Sequence, residues 1–156
     1  MKLADKQAVK YWDDYKKQVM QSTFIDVTET ALQQKTRKEK LEADAEQWFT
    51  YYFPKFAYAK PAPFHIEATK RVLKNSRWYE VRAWSRELAK STRTMMEVLY
   101  MVLTKQRFNV LLISNSADNA ERLLKPYKIN LESNQRIIKD YGKQQSIGDW
   151  QGNEFI

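Results

Sequence analysis

Apolar positions recur at helical spacing from the start of the chain. Ala8, Tyr11, Trp12, Tyr15 and Val19 fall on one face of a helix, with charges elsewhere. Residues 28–49 continue with helix formers and with opposite charges one turn apart, Lys38 with Glu42 and Lys40 with Asp44. No glycine or proline breaks either stretch, and a turn near Gln21–Ile25 separates them. Between 48 and 64 the pattern becomes an aromatic cluster: Trp48, Phe49, Tyr51, Tyr52, Phe53, Phe56, Tyr58 and Phe64, with Pro54, Pro61 and Pro63 breaking helix continuity. The cluster reads either as a hinge packed against the domain behind it or as a base-stacking platform; packing is the commoner use of aromatics.

Beyond the cluster, Ile66–Asn75 reads as a short helix and Arg77–Trp84 as an alternating strand. Residues 90–106 are apolar nearly all round, as in a helix covering a sheet. Phe108–Ser114 is a continuous apolar run, the pattern of a parallel strand buried on both faces. Ser116 caps a long helix with Asp118 in its first turn. Ala120, Leu124, Tyr127, Leu131, Asn134, Ile138 and Tyr141 line it, Pro126 kinks or splits it, and Gly142 stops it. Strand, helix, strand, helix is a βαβ unit, which implies a parallel sheet. The expected fold is therefore α/β: a helical N-terminal region with an aromatic linker over 1–60, then an incomplete α/β domain over 61–156. Two strands do not finish such a sheet, so the chain reads as cut short or as a remnant.

Composition narrows the chemistry. The 156 residues contain no cysteine and one histidine, which excludes disulfides, thiolate metal sites and thiol catalysis. Only three glycines and four prolines argue against an all-β fold. Lys2, Asp5, Lys6 and Lys10 interrupt any signal-peptide pattern, and no apolar stretch is long enough to span a bilayer. The expectation is a soluble, intracellular protein without a membrane partner. Net charge is +8. Over 70–93 lie Lys70, Arg71, Lys74, Arg77, Arg82, Arg86, Lys90 and Arg93, opposed by Glu80 and Glu87 alone. Such a cluster attracts phosphate, of a nucleotide or of a nucleic-acid backbone, or is a solvated basic face.

The chemistry centres on Trp84-Ser85-Arg86-Glu87-Leu88-Ala89-Lys90-Ser91-Thr92, between the expected strand and its helix. A phosphate loop needs a tight turn that aims backbone N–H groups at the anion, a lysine for the outer phosphates, and a hydroxyl for Mg²⁺ at a helix N-terminus. Lys90 and Ser91 stand where the last two belong, while Trp84 and Ala89 replace the two glycines. A charged turn between strand and helix is the alternative reading.

The octapeptide SRELAKST resembles the variant Walker A loop of phage large terminase subunits, the ATPases that package viral DNA. EQWFTYYFPKFAYAKPAPFH is similar to the segment leading into their ATPase domain, and NVLLISNSADNAERLLKPYKINLESNQRIIKDYG to the strand and helix after the loop. The resemblance covers about residues 46–150 and leaves the first 45 unaccounted for. It implies a partial P-loop, RecA-like parallel sheet, with ATP and Mg²⁺ as cofactors. Ala89, Lys90, Ser91 and Thr92 would hold phosphate, with Ser91 on the metal, Arg86 would act catalytically on the γ-phosphate, and Phe64 and His65 would contact adenine. His65 reads equally as an ordinary polar residue at a helix start. The implied partners are double-stranded DNA and, in the intact assembly, a portal protein and the small terminase subunit, in the cytoplasm of a host cell, with homo-oligomers expected. No acidic Walker B strand and no nuclease domain follow, so the chain is expected to carry half a nucleotide site and to be inactive alone. Two other readings stand beside this one: a non-catalytic basic module for nucleic acid or a protein, and a truncated helicase-like P-loop ATPase.

Overall fold

The computed structural model describes residues 3–144, and among these every regular element is a helix. They are α1 (Leu3–Ser22), α2 (Ala31–Glu42), α3 (Ala45–Tyr52), α4 (Pro63–Lys74), α5 (Lys90–Leu103), α6 (Ala117–Ser133) and α7 (Gln135–Tyr141). No strand or sheet occurs among the described residues, which overturns the expected parallel P-loop sheet and the α/β class. The residues meant for the strands are irregular and largely exposed: Tyr79 is 88% accessible, Val81 73%, Leu111 82% and Ile113 80%. The physical reason is the absence of partners. Two β-prone segments alone make at most a marginal ribbon, because a sheet needs three or more strands or a covered face to hold. Helix α5, assigned in sequence to cover the sheet, spends its apolar face on other helices instead.

The chain divides into two compact units, one formed by Met1–Thr36 with Leu112–Ile156 and the other by Arg37–Leu111, so that the boundary falls within α2. In the first unit α1 packs on α6, and α6 on α7. Val19, Tyr127, Ile129, Leu131 and Ile137 are buried there. The Thr23 hydroxyl donates to the Val19 carbonyl at 2.7 Å and accepts from the Gln135 N–H at 3.2 Å. Lys139 clips the 23–30 connection, donating at 2.7 Å both to Glu29 and to the Asp26 carbonyl. Pro126 lies inside α6 without ending it. The break comes at Asn134, whose backbone closes α6 and whose side chain accepts from the Ile137 N–H at 3.1 Å to open α7.

The second unit holds the aromatic cluster and the loop. Asp44 caps α3 by accepting from the Glu46 and Gln47 N–H groups. This helix delivers Trp48, Phe49 and Tyr52, with Phe53 after it, to a core that they fill almost without solvent contact. Trp48 meets Tyr52 at 4.7 Å and Tyr100 of α5 at 5.2 Å between ring centroids. Met95, Met96, Leu99, Tyr100 and Leu103 form the buried face of α5. Trp48, Phe49, Tyr52 and Phe53 are therefore core, the packing alternative for this part of the cluster, while Tyr58 and Phe64 are exposed. No helix among the described residues is long and apolar enough to cross a membrane.

Candidate phosphate-binding loop

The loop begins on an irregular segment tethered by its even-numbered side chains. From Tyr79 to Ser85 exposure alternates residue by residue, the two-residue period of an extended chain. Glu80 accepts from Arg71 at 2.8 Å and from the Trp78 indole at 2.6 Å. Arg82 pairs with Glu97 at 2.8 Å and reaches the Thr94 hydroxyl at 3.3 Å. Trp84 meets Phe64 and His65 edge-on, each at 5.1 Å. Arg71 and Trp78, which both donate to the Glu80 carboxylate, hold its pKa down at about 2.

Beneath the loop lies a buried polar network. Arg93 makes a paired interaction with Glu46, donates to the Thr69 hydroxyl at 2.8 and 3.0 Å, and lies 4.8 Å over the Phe49 ring. Glu97, one turn further along α5, accepts from Thr69 and lies 3.7 Å from Arg93. Arg71, Arg82 and Arg93 belong to the basic cluster in sequence, and the structure commits all three to carboxylates. Lys70, Lys74, Arg77, Arg86 and Lys90 remain exposed. The opposed pairs at Arg93–Glu97 and Arg71–Glu67 spacing were visible one turn apart in the sequence, but Arg93–Glu46 was not.

The turn itself passes through left-handed backbone at Glu87 (φ 69°) and Ala89 (φ 52°). For residues with a Cβ that conformation is unfavourable and is held by its surroundings. Ala89 directly precedes α5, in a conformation that glycine adopts more readily than alanine. It leads into α5 with no side-chain cap and no acidic residue in the first turn. The N–H groups of Lys90, Ser91 and Thr92 therefore point from an uncapped helix N-terminus, where the helix dipole favours an anion. Lys90 is the first helical residue, and its ammonium donates to the Trp84 carbonyl across the loop at 3.3 Å. Ser91 and Arg86 are exposed.

His65 and Phe64 belong to this place as well. His65 Nδ1 accepts from the Ala62 N–H at 3.2 Å, so the ring proton sits on Nε2, which lies 3.0 Å from the Leu88 carbonyl. The histidine thus ties the start of α4 to the loop ahead of α5. Phe64, 40% exposed, meets the Trp84 ring edge-on. The sequence-predicted residues Phe64, His65, Ala89 and Lys90 are brought into one neighbourhood, and Ser91 and Thr92 occupy the first turn beside them. Trp84 stands at a glycine position of the loop pattern, and its ring contacts with Phe64 and His65 make it part of the wall.

Among the described residues no group of three or more His, Asp or Glu forms a metal-holding cluster. The oxygen-bearing side chains of the loop are Ser85, Glu87, Ser91 and Thr92, beside the Lys90 ammonium. Comparison with known proteins finds no matching family model, no matching curated protein and no matching solved structure.

Proposed function

We propose that the 84–92 loop binds the phosphate groups of a nucleotide, and that the terminase resemblance of the same residues makes ATP the ligand. The observation that carries this reading is the uncapped N-terminus of α5 with Lys90 as its first residue, reached through a left-handed turn at Ala89. Three backbone N–H groups and the helix dipole supply the anion site. Lys90 exchanges the Trp84 carbonyl for the outer phosphates, Ser91 offers its hydroxyl to the accompanying Mg²⁺, and exposed Arg86 reaches the γ-phosphate. Phe64 and Trp84 present ring surface to the base, and His65 holds the loop in place. Of the carboxylates around the loop, Glu46, Glu80 and Glu97 are engaged by arginines and so unsuited to position an attacking water, while exposed Glu87 lies in the loop itself and no Walker B acid follows in the sequence. The chain alone then binds ATP and does not turn it over. Within a terminase it would be part of a DNA-packaging motor in the host cytoplasm, acting with portal protein and small subunit.

The five exposed cations of the 70–90 stretch favour a second reading, a basic module that holds nucleic acid without a nucleotide. Titration with a non-hydrolysable ATP analogue and with short duplex DNA, each at 50 and 200 mM salt, separates the two. If all five cations contact phosphate, DNA binding weakens by several hundredfold over that range, since each contact releases counterions (slope about −0.9 per contact). Nucleotide binding depends less on salt and is lost in Lys90→Ala. Nucleotide affinity unchanged in Lys90→Ala, with DNA binding intact, would leave the loop a charged turn and the second reading the better one.

A further inference from the structure

The segment Trp78-Tyr79-Glu80-Val81-Arg82-Ala83-Trp84 is self-complementary about its central residue. Laid antiparallel on a copy of itself with Val81 facing Val81, it sets Glu80 opposite Arg82 of the second copy, Tyr79 opposite Ala83, and Trp78 opposite Trp84. Each pair then occurs twice, as a two-fold axis requires. Opposite charges, paired aromatics and paired β-branched residues are the cross-strand combinations that stabilise antiparallel strands.

The structure prepares this segment for such pairing. Glu80, Arg82 and Trp84 are fixed on one side by Arg71, Glu97 and the Phe64–His65 pair, so the extended form is already ordered and little entropy remains to be lost. Among the described residues no hydrogen bond engages the backbone of 77–83, although buried or edge amides normally find partners. Tyr79 and Val81 stand 88% and 73% exposed, and Trp78 48%. We propose that 78–84 is a self-recognition strand, through which two copies of this chain pair antiparallel about Val81. Each Glu80 keeps Arg71 and its own Arg82, at 2.8 and 4.0 Å, and gains the Arg82 of the second copy. The contact is short, below the ~1,200 Å² of stable interfaces, so pairing belongs to high concentration. It does not depend on phosphate binding.

The chain contains no cysteine, so single spin labels can be placed cleanly at Arg77→Cys, Val81→Cys and Ser85→Cys, all at exposed positions. At millimolar protein the label separation should be shortest at 81, within strong dipolar broadening. It should lengthen to about 27 Å at both 77 and 85, which are eight residues out of register with their own copies at ~3.4 Å per residue. Val81→Lys, which sets two ammonium groups face to face on the axis, should return the chain to a monomer by sedimentation equilibrium with its circular dichroism unchanged. A wild-type monomer at millimolar concentration, a shortest distance at 77 or 85, or a dimer that survives Val81→Lys would each overturn the proposal.

Discussion

Replacing Arg93 by methionine tests whether the polar network under the loop holds the central unit together. The side chain is 6% exposed and Glu97 beside it 3%. Arg93 joins three elements: Glu46 and the ring of Phe49 on α3, Thr69 and the His65 carbonyl on α4, and Glu97 on its own helix. Methionine keeps most of the stem's volume and removes every donor. Removing one partner of a buried pair costs about 3–5 kcal/mol, because the carboxylate left behind is desolvated and unpaired. Two facts lower that range here. Glu46 is 29% exposed, so water can solvate part of it, and Glu97 retains Arg82 at 2.8 Å. The expected loss is about 3 kcal/mol. With a urea m-value of about 1–2 kcal/mol per molar for a unit of this size, the midpoint should fall by roughly 2 M. Urea unfolding followed by far-UV circular dichroism and by fluorescence, with Trp48 at 0% exposure as the buried tryptophan of this unit beside the more exposed Trp78 and Trp84, measures it. The double variant Arg93→Met/Glu46→Gln should recover part of the loss, since the stranded charge is gone. A single-variant loss under about 1 kcal/mol, or no recovery in the double variant, would refute the reasoning.

Other outcomes rest on the same geometry. Ala89→Gly should stabilise the protein by about 1 kcal/mol, because glycine adopts φ 52° without a Cβ clash; a loss of stability in thermal unfolding would contradict this. The Glu80 carboxyl, held at about 2 by donors from Arg71 and Trp78, contributes stability that is complete above the ordinary carboxylate range. That contribution is lost as pH falls from about 4.5 towards 2, and Glu80→Gln should show a shallower acid transition over the same window. Tyr15, pushed up to about 12 by burial against a smaller opposing hydrogen bond from Asn130, should titrate at 295 nm well above free tyrosine. Its contribution is whole below pH 10 and is lost as pH rises through about 12, so Tyr15→Phe should flatten the alkaline loss of stability in the unit built from α1, α6 and α7. Trp48→Ala should cost about 3–5 kcal/mol, the range for a fully buried aromatic, and leave the first unit's helices intact by circular dichroism.

Helix periodicity, caps and stops are local properties, and several were legible in the sequence, although the breaks at 43–44 between α2 and α3 and at Asn134 between α6 and α7 were not. The helix over Tyr11–Val19, though Tyr11 on its apolar side is 60% exposed, the Ser116 cap with Asp118 behind it, the helix beginning at Lys90, and Gly142 at the end of α7 all arise from residues within a turn or two of one another. So does the placing of Lys90 and Ser91 at a helix N-terminus, because the lysine, the hydroxyl and the apolar run behind them are contiguous. Strands are different, since a β-prone segment forms one only if a partner lies beside it. Nothing within 77–84 or 108–114 reveals whether a second strand of the same chain lies beside it, and among the described residues none does. Tertiary structure likewise decided which positive charges remain available. Arg93 finds Glu46 across 47 residues and Arg82 finds Glu97 from the next element, so a cluster that reads as uniformly basic splits into an internal lattice and an exposed set. It also decided that His65 braces the loop through the Leu88 carbonyl, 23 residues away. Contacts at those separations depend on how α3, α4 and α5 cross, which local propensity does not encode.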